Sequence, residues 1–190
     1  MQIGLFFGSF NPIHIGHLAL ANYIVENSVL QQIWFVISPQ NPFKDKKSLL
    51  NENLRYDLVY ETIKNDERFG VSNIEFSMPK PSYTAHTLVA FAEKFPQHQF
   101  SIIMGEDNLQ SLHKWKNADF IQKNYNIYVY PRLNLDVENS AQNHNVTRLN
   151  APIIEISSSM IREGIKMGKK YNHLIPFQAW EIIEKNGYYL

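Results

Sequence analysis

Residues 8–17 read GSFNPIHIGH, between the apolar run IGLFF and the apolar-rich segment LALANYIV. Gly8 lacks a Cβ, so backbone there can approach a ligand closely. Ser9 and the amides around it can donate hydrogen bonds, and Pro12 stiffens the turn. His14 and His17 stand one helical turn apart and share a face if a helix starts near Ile13. A helix amino end carries partial positive charge and unpaired N–H groups, which suit phosphate. The stretch predicts an anion site with two imidazoles aimed into it. Other chemistries compete on local grounds. Histidines at i, i+3 can hold a metal, although zinc sites want three or four protein ligands, and no acidic residue or third histidine lies within eight residues. Ser9 lacks the G-x-S-x-G elbow of a hydrolase nucleophile, and the Gly-Lys-Ser/Thr of a Walker A loop is missing. A plain capped turn with surface histidines also fits.

The elements that must position this stretch follow from hydropathy. Ile3–Phe7, Ile33–Ile37, Phe100–Met104 and Ile127–Tyr130 are short runs rich in Ile, Val and aromatics, and predict buried strands. Val71–Phe76 and Pro152–Ile156 are weaker strand candidates. Helical patterns lie between them. Leu18, Ala21, Tyr23, Ile24 and Val25 form an apolar face before Asn27. Leu54, Leu58, Val59 and Ile63 form a second, with Asn51 or Asn53 as cap. Leu88, Phe91, Ala92 and Phe95 form a third, stopped by Pro96. Phe177, Trp180, Ile182 and Ile183 form a last one, between Pro176 and Gly187. Alternating strands and helices predict an α/β fold, a doubly wound, mostly parallel sheet with helices on both faces. Ligands in such folds bind at strand carboxyl ends near a topological switch, which is where residues 8–17 would lie. Ser38–Leu50 and Asn134–Asn145 read as loops, and the Asn-rich 138–145 as a mobile surface stretch.

The 190 residues suffice for one compact domain, with 44% apolar and 19% charged side chains. Eighteen basic side chains balance eighteen acidic ones, so no large electrostatic nucleic-acid footprint is expected. No cysteine is present, which excludes a disulfide framework, a thiolate metal site and a cysteine nucleophile. No apolar run approaches the roughly 20 residues of a membrane span, and the start of the chain lacks a signal-peptide pattern. No membrane partner and a cytoplasmic location are expected.

The full spacing adds more. GSFNPIHIGH resembles the G-x-F-x-P-x-H-x-G-H signature of the nucleotidyltransferases related to class I aminoacyl-tRNA synthetases, with Gly8, Phe10, Pro12, His14, Gly16 and His17 all matching. ISSSMIR (156–162) resembles the superfamily's I-S-S-T-x-I-R motif, with Ser159 where threonine is common. Ser157 or Ser158 can cap a helix there, and the planar fork of Arg162 can grip two phosphate oxygens. Within that superfamily the chain is most similar to the bacterial nicotinate mononucleotide adenylyltransferases, over nearly its whole length. PSYTAHTL (81–88), IMGEDNLQSLHKW (103–115), VYPR (129–132) and LIPFQAWEIIEKNGYY (174–189) match that family's segments. In QNPFKDKK (40–47), Pro42 and Lys44 match a family Pro-Pro-His-Lys, but Phe43 replaces the histidine.

The resemblance implies a single Rossmann-like nucleotidyltransferase domain over 1–190, with a small helical C-terminal part from about 157 to 190. It implies transfer of the adenylyl group of ATP to nicotinate mononucleotide, with Mg²⁺ held mainly by substrate phosphates. His14, His17, Lys44 and Arg162 are the implied catalytic residues. Gly8, Ser9, Phe10, Gly16, Gly105, Asp107, Ile156, Ser157 and Ser158 are the implied ATP and phosphate contacts. Tyr83, Thr84, Trp115, Lys116 and Arg132 are the implied acceptor contacts. Trp115 would stack on the cationic pyridinium, with a cation–π attraction of about 0.5–2 kcal/mol; a lone tryptophan otherwise packs in a core. Ser82 is a candidate cap for a helix starting at Tyr83 and Thr84, whose amides would take the nicotinate carboxylate. The acceptor phosphate is already anionic, so no protein base and no covalent intermediate are required. Catalysis reduces to alignment and charge stabilisation, with His14, His17, Lys44, Arg162 and Mg²⁺ offsetting anion–anion repulsion. A phosphopantetheine adenylyltransferase, a nicotinamide-preferring relative and an inactive nucleotide-binding regulator are the rival readings. PSYT and Trp115 oppose the first; the intact His14, His17, Lys44 and Arg162 oppose the last.

Overall fold

The computed structural model describes residues 1–39, 49–133 and 145–190. Lys44, with Pro42, Phe43, Lys46 and Lys47, lies outside the described residues, as does the Asn-rich stretch up to 144. The strands are β1 (Gln2–Gly8), β2 (Gln32–Ile37), β3 (Phe69–Ser72), β4 (Gln99–Gly105), β5 (Ile127–Tyr130) and β6 (Val146–Arg148). The helices are α1 (Ile15–Glu26), α2 (Glu52–Ile63), α3 (Thr84–Lys94), α4 (Glu106–Ser111), α5 (Ala118–Asn124), α6 (Ser158–Lys166) and α7 (Phe177–Asn186). All six strands pair in parallel, in the order β3-β2-β1-β4-β5-β6. The order reverses between β1 and β4, so the loop after β1 and the end of β4 flank the crevice where such sheets bind ligands.

Strand side chains alternate between faces, and each face has its own core. Phe6, Ile33, Phe35, Ile37, Ile103, Tyr128 and Tyr130 pack with α1, α2, α6 and α7. Ile3, Leu5, Val36, Ile102, Met104, Ile127 and Val129 pack with α3 and α5. The C-terminal helices therefore complete one layer: Ile161, Ile165, Ala179 and Ile183 join the core under α1 and α2. Asn51 caps α2 through its side chain, and Gly187, at φ 63°, terminates α7.

Three expectations change. Val71–Phe76 is not one strand: β3 ends at Ser72 and Ile74–Ser77 winds into a 3₁₀ turn that buries Glu75. Pro152–Ile156 forms no strand, and Ile153 is exposed; the sixth strand is instead Val146–Arg148, paired with β5. On α2 the buried stripe is Arg55, Leu58, Val59 and Ile63, with Leu54 only partly covered.

Candidate active site

The β1–α1 loop is built around aromatic rings. Phe10 is buried at φ 43°, in the left-handed region that non-glycine residues rarely occupy. Its ring packs on Phe6, Phe35 and the edge of His17, with centroids 5.7, 5.3 and 5.0 Å apart. A Cβ on Gly8 would fall 2.7 Å from that ring, so this glycine makes room for Phe10. The side chain of Phe10 belongs to the core, which leaves only its backbone to meet a nucleotide. Gly16 does the same for His14, whose Nδ1 would lie 3.0 Å from an added Cβ.

His14 is the N-cap residue of α1 and His17 sits in its first turn. Their rings stack, 3.6 Å apart and 26° from parallel. The His14 amide donates to His17 Nδ1 at 3.2 Å. With Nδ1 accepting, the neutral His17 ring carries its proton on Nε2. His14 is buried, and its Nδ1 has no hydrogen-bond partner among the described residues. Burial, with a smaller push from the Arg132 charge, lowers its pKa to about 4. At neutral pH His14 is therefore a neutral polar group.

The second motif docks on the first. Ser157 caps α6, accepting from the Met160 amide at 3.2 Å. Ser158 Oγ donates to the Pro12 carbonyl at 2.9 Å, and Arg162 Nη1 to the Asn11 carbonyl at 2.8 Å. Ile156 packs against the core beneath. The amino ends of α1 and α6 thus meet at Asn11–His14. Two further residues, not foreseen from sequence, fix the same loop. Tyr189 Oη donates to Asn11 Oδ1 at 2.9 Å, and burial pushes its hydroxyl pKa up. Arg55, fully buried, donates to the carbonyls of Ser9, Ser38, Pro39 and Leu50. Its one sequence signal is position: it stands at i−3 and i−4 from Leu58 and Val59, inside the apolar stripe of α2.

At the end of β4, Gly105 is followed by Glu106 and Asp107. Arg148 pairs with buried Glu106 through both carboxylate oxygens, at 3.2 and 3.3 Å. Asp107 Oδ1 lies 3.5 Å from Arg132 Nε, and Arg132 lies over the Tyr130 ring. A Cβ on Gly105 would meet Asp107 Oδ1 at 2.4 Å and Arg132 Nε at 3.1 Å. Asp107 and Arg132, placed by resemblance on opposite substrates, are thus neighbours. Lys116 Nζ sits 4.5 Å from the Tyr83 ring centroid, joining the start of α3 to the segment after Trp115. Trp115 is half-buried against the second core group. Tyr83, not Ser82, is the N-cap of α3, and its side chain makes no cap hydrogen bond. The Ser82 hydroxyl binds Glu75 instead.

The cytidylyltransferase-like family model matches residues 5–164. A "Probable nicotinate-nucleotide adenylyltransferase" of Flavobacterium psychrophilum is 50% identical over 191 residues, covering 100% of this chain and 99% of that protein. One of the same name from Flavobacterium johnsoniae is 48% identical over 191 residues, with coverage of 100% and 99%. The chain belongs to the nicotinate-nucleotide adenylyltransferase family. The fold agrees: a solved structure of Plasmodium falciparum nicotinic acid mononucleotide adenylyltransferase complexed with NaAD superposes with a TM-score of 0.78 at 20% identity, covering 98% of this chain and 97% of that one.

For this adenylyltransferase-family chain, the buried His14 predicts a pH dependence of stability. An unfolded histidine titrates near 6.5, so the unfolded state takes up the proton first. The stabilisation is full above pH 6.5 and is lost as pH falls toward 4. This group supplies a slope of about 1.4 kcal/mol per pH unit. Urea midpoints between pH 7 and pH 5 are expected to shift less in His14→Gln than in the parent; equal shifts would remove His14 from the account.

Proposed function

We propose that this chain joins ATP and nicotinate mononucleotide into nicotinate adenine dinucleotide, releasing pyrophosphate, and acts as a single nucleotidyltransferase unit at the β1–β4 switch point. The observation that carries the reading is the clamp of Ser158 and Arg162 on the Pro12 and Asn11 carbonyls, which sets two helix amino ends side by side as a polyanion cradle. The names carried by the half-identical relatives support the choice of substrates.

In the reaction an acceptor phosphate oxygen forms a bond to the α-phosphorus of ATP while the α–β bridging P–O bond breaks, and pyrophosphate leaves. The nucleophile is already ionised, so the protein supplies alignment and charge stabilisation. His17 offers Nε2–H, His14 a neutral ring, and Arg162, already anchored on Asn11, a fixed guanidinium beside them. Lys44 would add an ammonium. A divalent ion, for which we name Mg²⁺, would neutralise charge on the triphosphate. Such an ion would be carried mainly on the substrate phosphates and water. On the acceptor side, the uncapped start of α3 leaves the Thr84 amide for the nicotinate carboxylate, with the Lys116 amide as second donor. Trp115 and the Tyr83–Lys116 pair would flank the pyridine ring, and Arg132, whose charge reaches His14, would meet the acceptor. A nicotinamide would aim its own NH₂ at an N–H donor and leave a polar group unmet.

Pyrophosphate release is expected only when ATP and nicotinate mononucleotide are both present, and slower with nicotinamide mononucleotide. Coupled-enzyme detection of pyrophosphate measures this. Release with ATP alone, or with phosphopantetheine in place of the mononucleotide, would defeat the reading.

A further inference from the structure

Glu75 is 2% exposed in the 3₁₀ turn after β3. Ser82 Oγ donates to its Oε2 at 2.6 Å and Thr87 Oγ1 to its Oε1 at 2.9 Å, and the Ser38 hydroxyl binds the same carboxyl. No lysine or arginine among the described residues enters this shell. A buried carboxyl ringed by hydroxyls is costly unless each acceptor site is used. Burial raises its pKa, and the three hydroxyls work against that rise.

What this arrangement withholds is a cap. Ser82 precedes the N-cap residue Tyr83 by one position. Serine is among the strongest N-cap residues, and its oxygen accepts from the N2 or N3 amide. Were α3 to begin one residue earlier, Ser82 would take the Thr84 or Ala85 amide. The Thr84 amide is one of those assigned above to the acceptor's carboxylate. We propose that Glu75 is a positioning residue for the acceptor substrate: by holding the Ser82 hydroxyl it keeps the amino end of α3 uncapped and open to the carboxylate. The inference rests on the acceptor assignment made above. Ser38 ties the device to the phosphate loop, since its amide donates to the Gly8 carbonyl at 2.9 Å and its own carbonyl accepts from Arg55.

The test is a rescue. In Glu75→Ala the freed Ser82 competes for the α3 amides. The KM for nicotinate mononucleotide is expected to rise about fivefold, equivalent to about 1 kcal/mol of cap, with the KM for ATP unchanged. Hydrogen exchange at the Thr84 and Ala85 amides of the free enzyme should slow. Removing the competitor in Glu75→Ala/Ser82→Ala should return both the acceptor KM and the exchange rates to the parental values, and Ser82→Ala alone should leave both near normal. A purely structural Glu75 predicts a double variant at least as impaired as Glu75→Ala, and that result overturns the proposal. So does a raised acceptor KM in Ser82→Ala, which decides the matter by itself if Glu75→Ala does not fold. A parent enzyme that fails to use nicotinate mononucleotide defeats the functional reading. A parent that uses it, beside a Glu75→Ala enzyme with unaltered acceptor KM, defeats only this inference.

Discussion

Replacing His17 with alanine is expected to lower kcat by about 10²–10³-fold, the cost of losing one preorganised donor to developing charge, while the KM values for ATP and acceptor change little. The asymmetry follows from how the ring is held. His17 Nδ1 accepts from the His14 amide at 3.2 Å, its face stacks on His14, and its edge packs on Phe10. Those contacts fix both tautomer and orientation before substrate arrives. A donor preorganised in this way contributes most where charge changes during reaction, and least to ground-state binding. Loss of the His14 amide's acceptor also weakens the start of α1, so the thermal midpoint of His17→Ala is measured alongside its steady-state kinetics. A folded His17→Ala enzyme with a near-normal turnover number would show that the motif's second histidine does not act on the transition state.

Legibility from sequence was uneven for physical reasons. The strands β1, β2, β4 and β5 are buried on both faces, and uninterrupted apolar runs announce that. Val71–Phe76 mixes apolar Val71, Ile74 and Phe76 with polar Ser72, Asn73 and Glu75, and hydropathy does not say whether a carboxylate will turn inward toward hydroxyls from Ser38, Ser82 and Thr87. The edge strand Val146–Arg148 is three residues long and half exposed, too short for any periodicity to register. Strand order rests on long-range pairing such as β1 with β4, for which nothing local carries a signal. Within the site, His14, His17, Ser157, Ser158 and Arg162 stood out because motif spacing concentrates them. Arg55, Glu75 and Tyr189 did not. Their partners are backbone carbonyls or side chains 5 to 178 residues away, so the chemistry that explains them appears only after folding. Ser82 is the instructive error. Its type and position fit an N-cap, and a stronger acceptor elsewhere in the fold captured its hydroxyl.

Arg55→Lys, although conservative, is expected to be strongly damaging. The guanidinium is fully buried, and Nε, Nη1 and Nη2 together reach four carbonyls, including Leu50 at 2.8 Å, Ser38 at 2.9 Å and Pro39 at 3.2 Å. An ammonium offers three donors from a single point and cannot span that set. At least one or two buried carbonyls would lose their donor, at about 1–3 kcal/mol each. The charge itself would remain buried, with burial already pulling the arginine's pKa down. A loss of about 3 kcal/mol in unfolding free energy is therefore expected, read from urea titrations. Function should fall with it even under conditions where the variant is folded. Arg55 holds Ser9 in the phosphate loop to Ser38 and Pro39 at the end of β2, so it sets the spacing between the segment that carries His14 and His17 and the one that leads to Lys44. Displacing such a loop by about 1 Å can cost on the order of 10²-fold in rate. Arg55→Leu removes the charge and the donors together. Comparing it with the lysine variant separates the cost of the stranded carbonyls from that of a misplaced cation. Near-parental stability and kcat/KM in Arg55→Lys would mean that the loop is held by the Ser158, Arg162 and Tyr189 contacts alone.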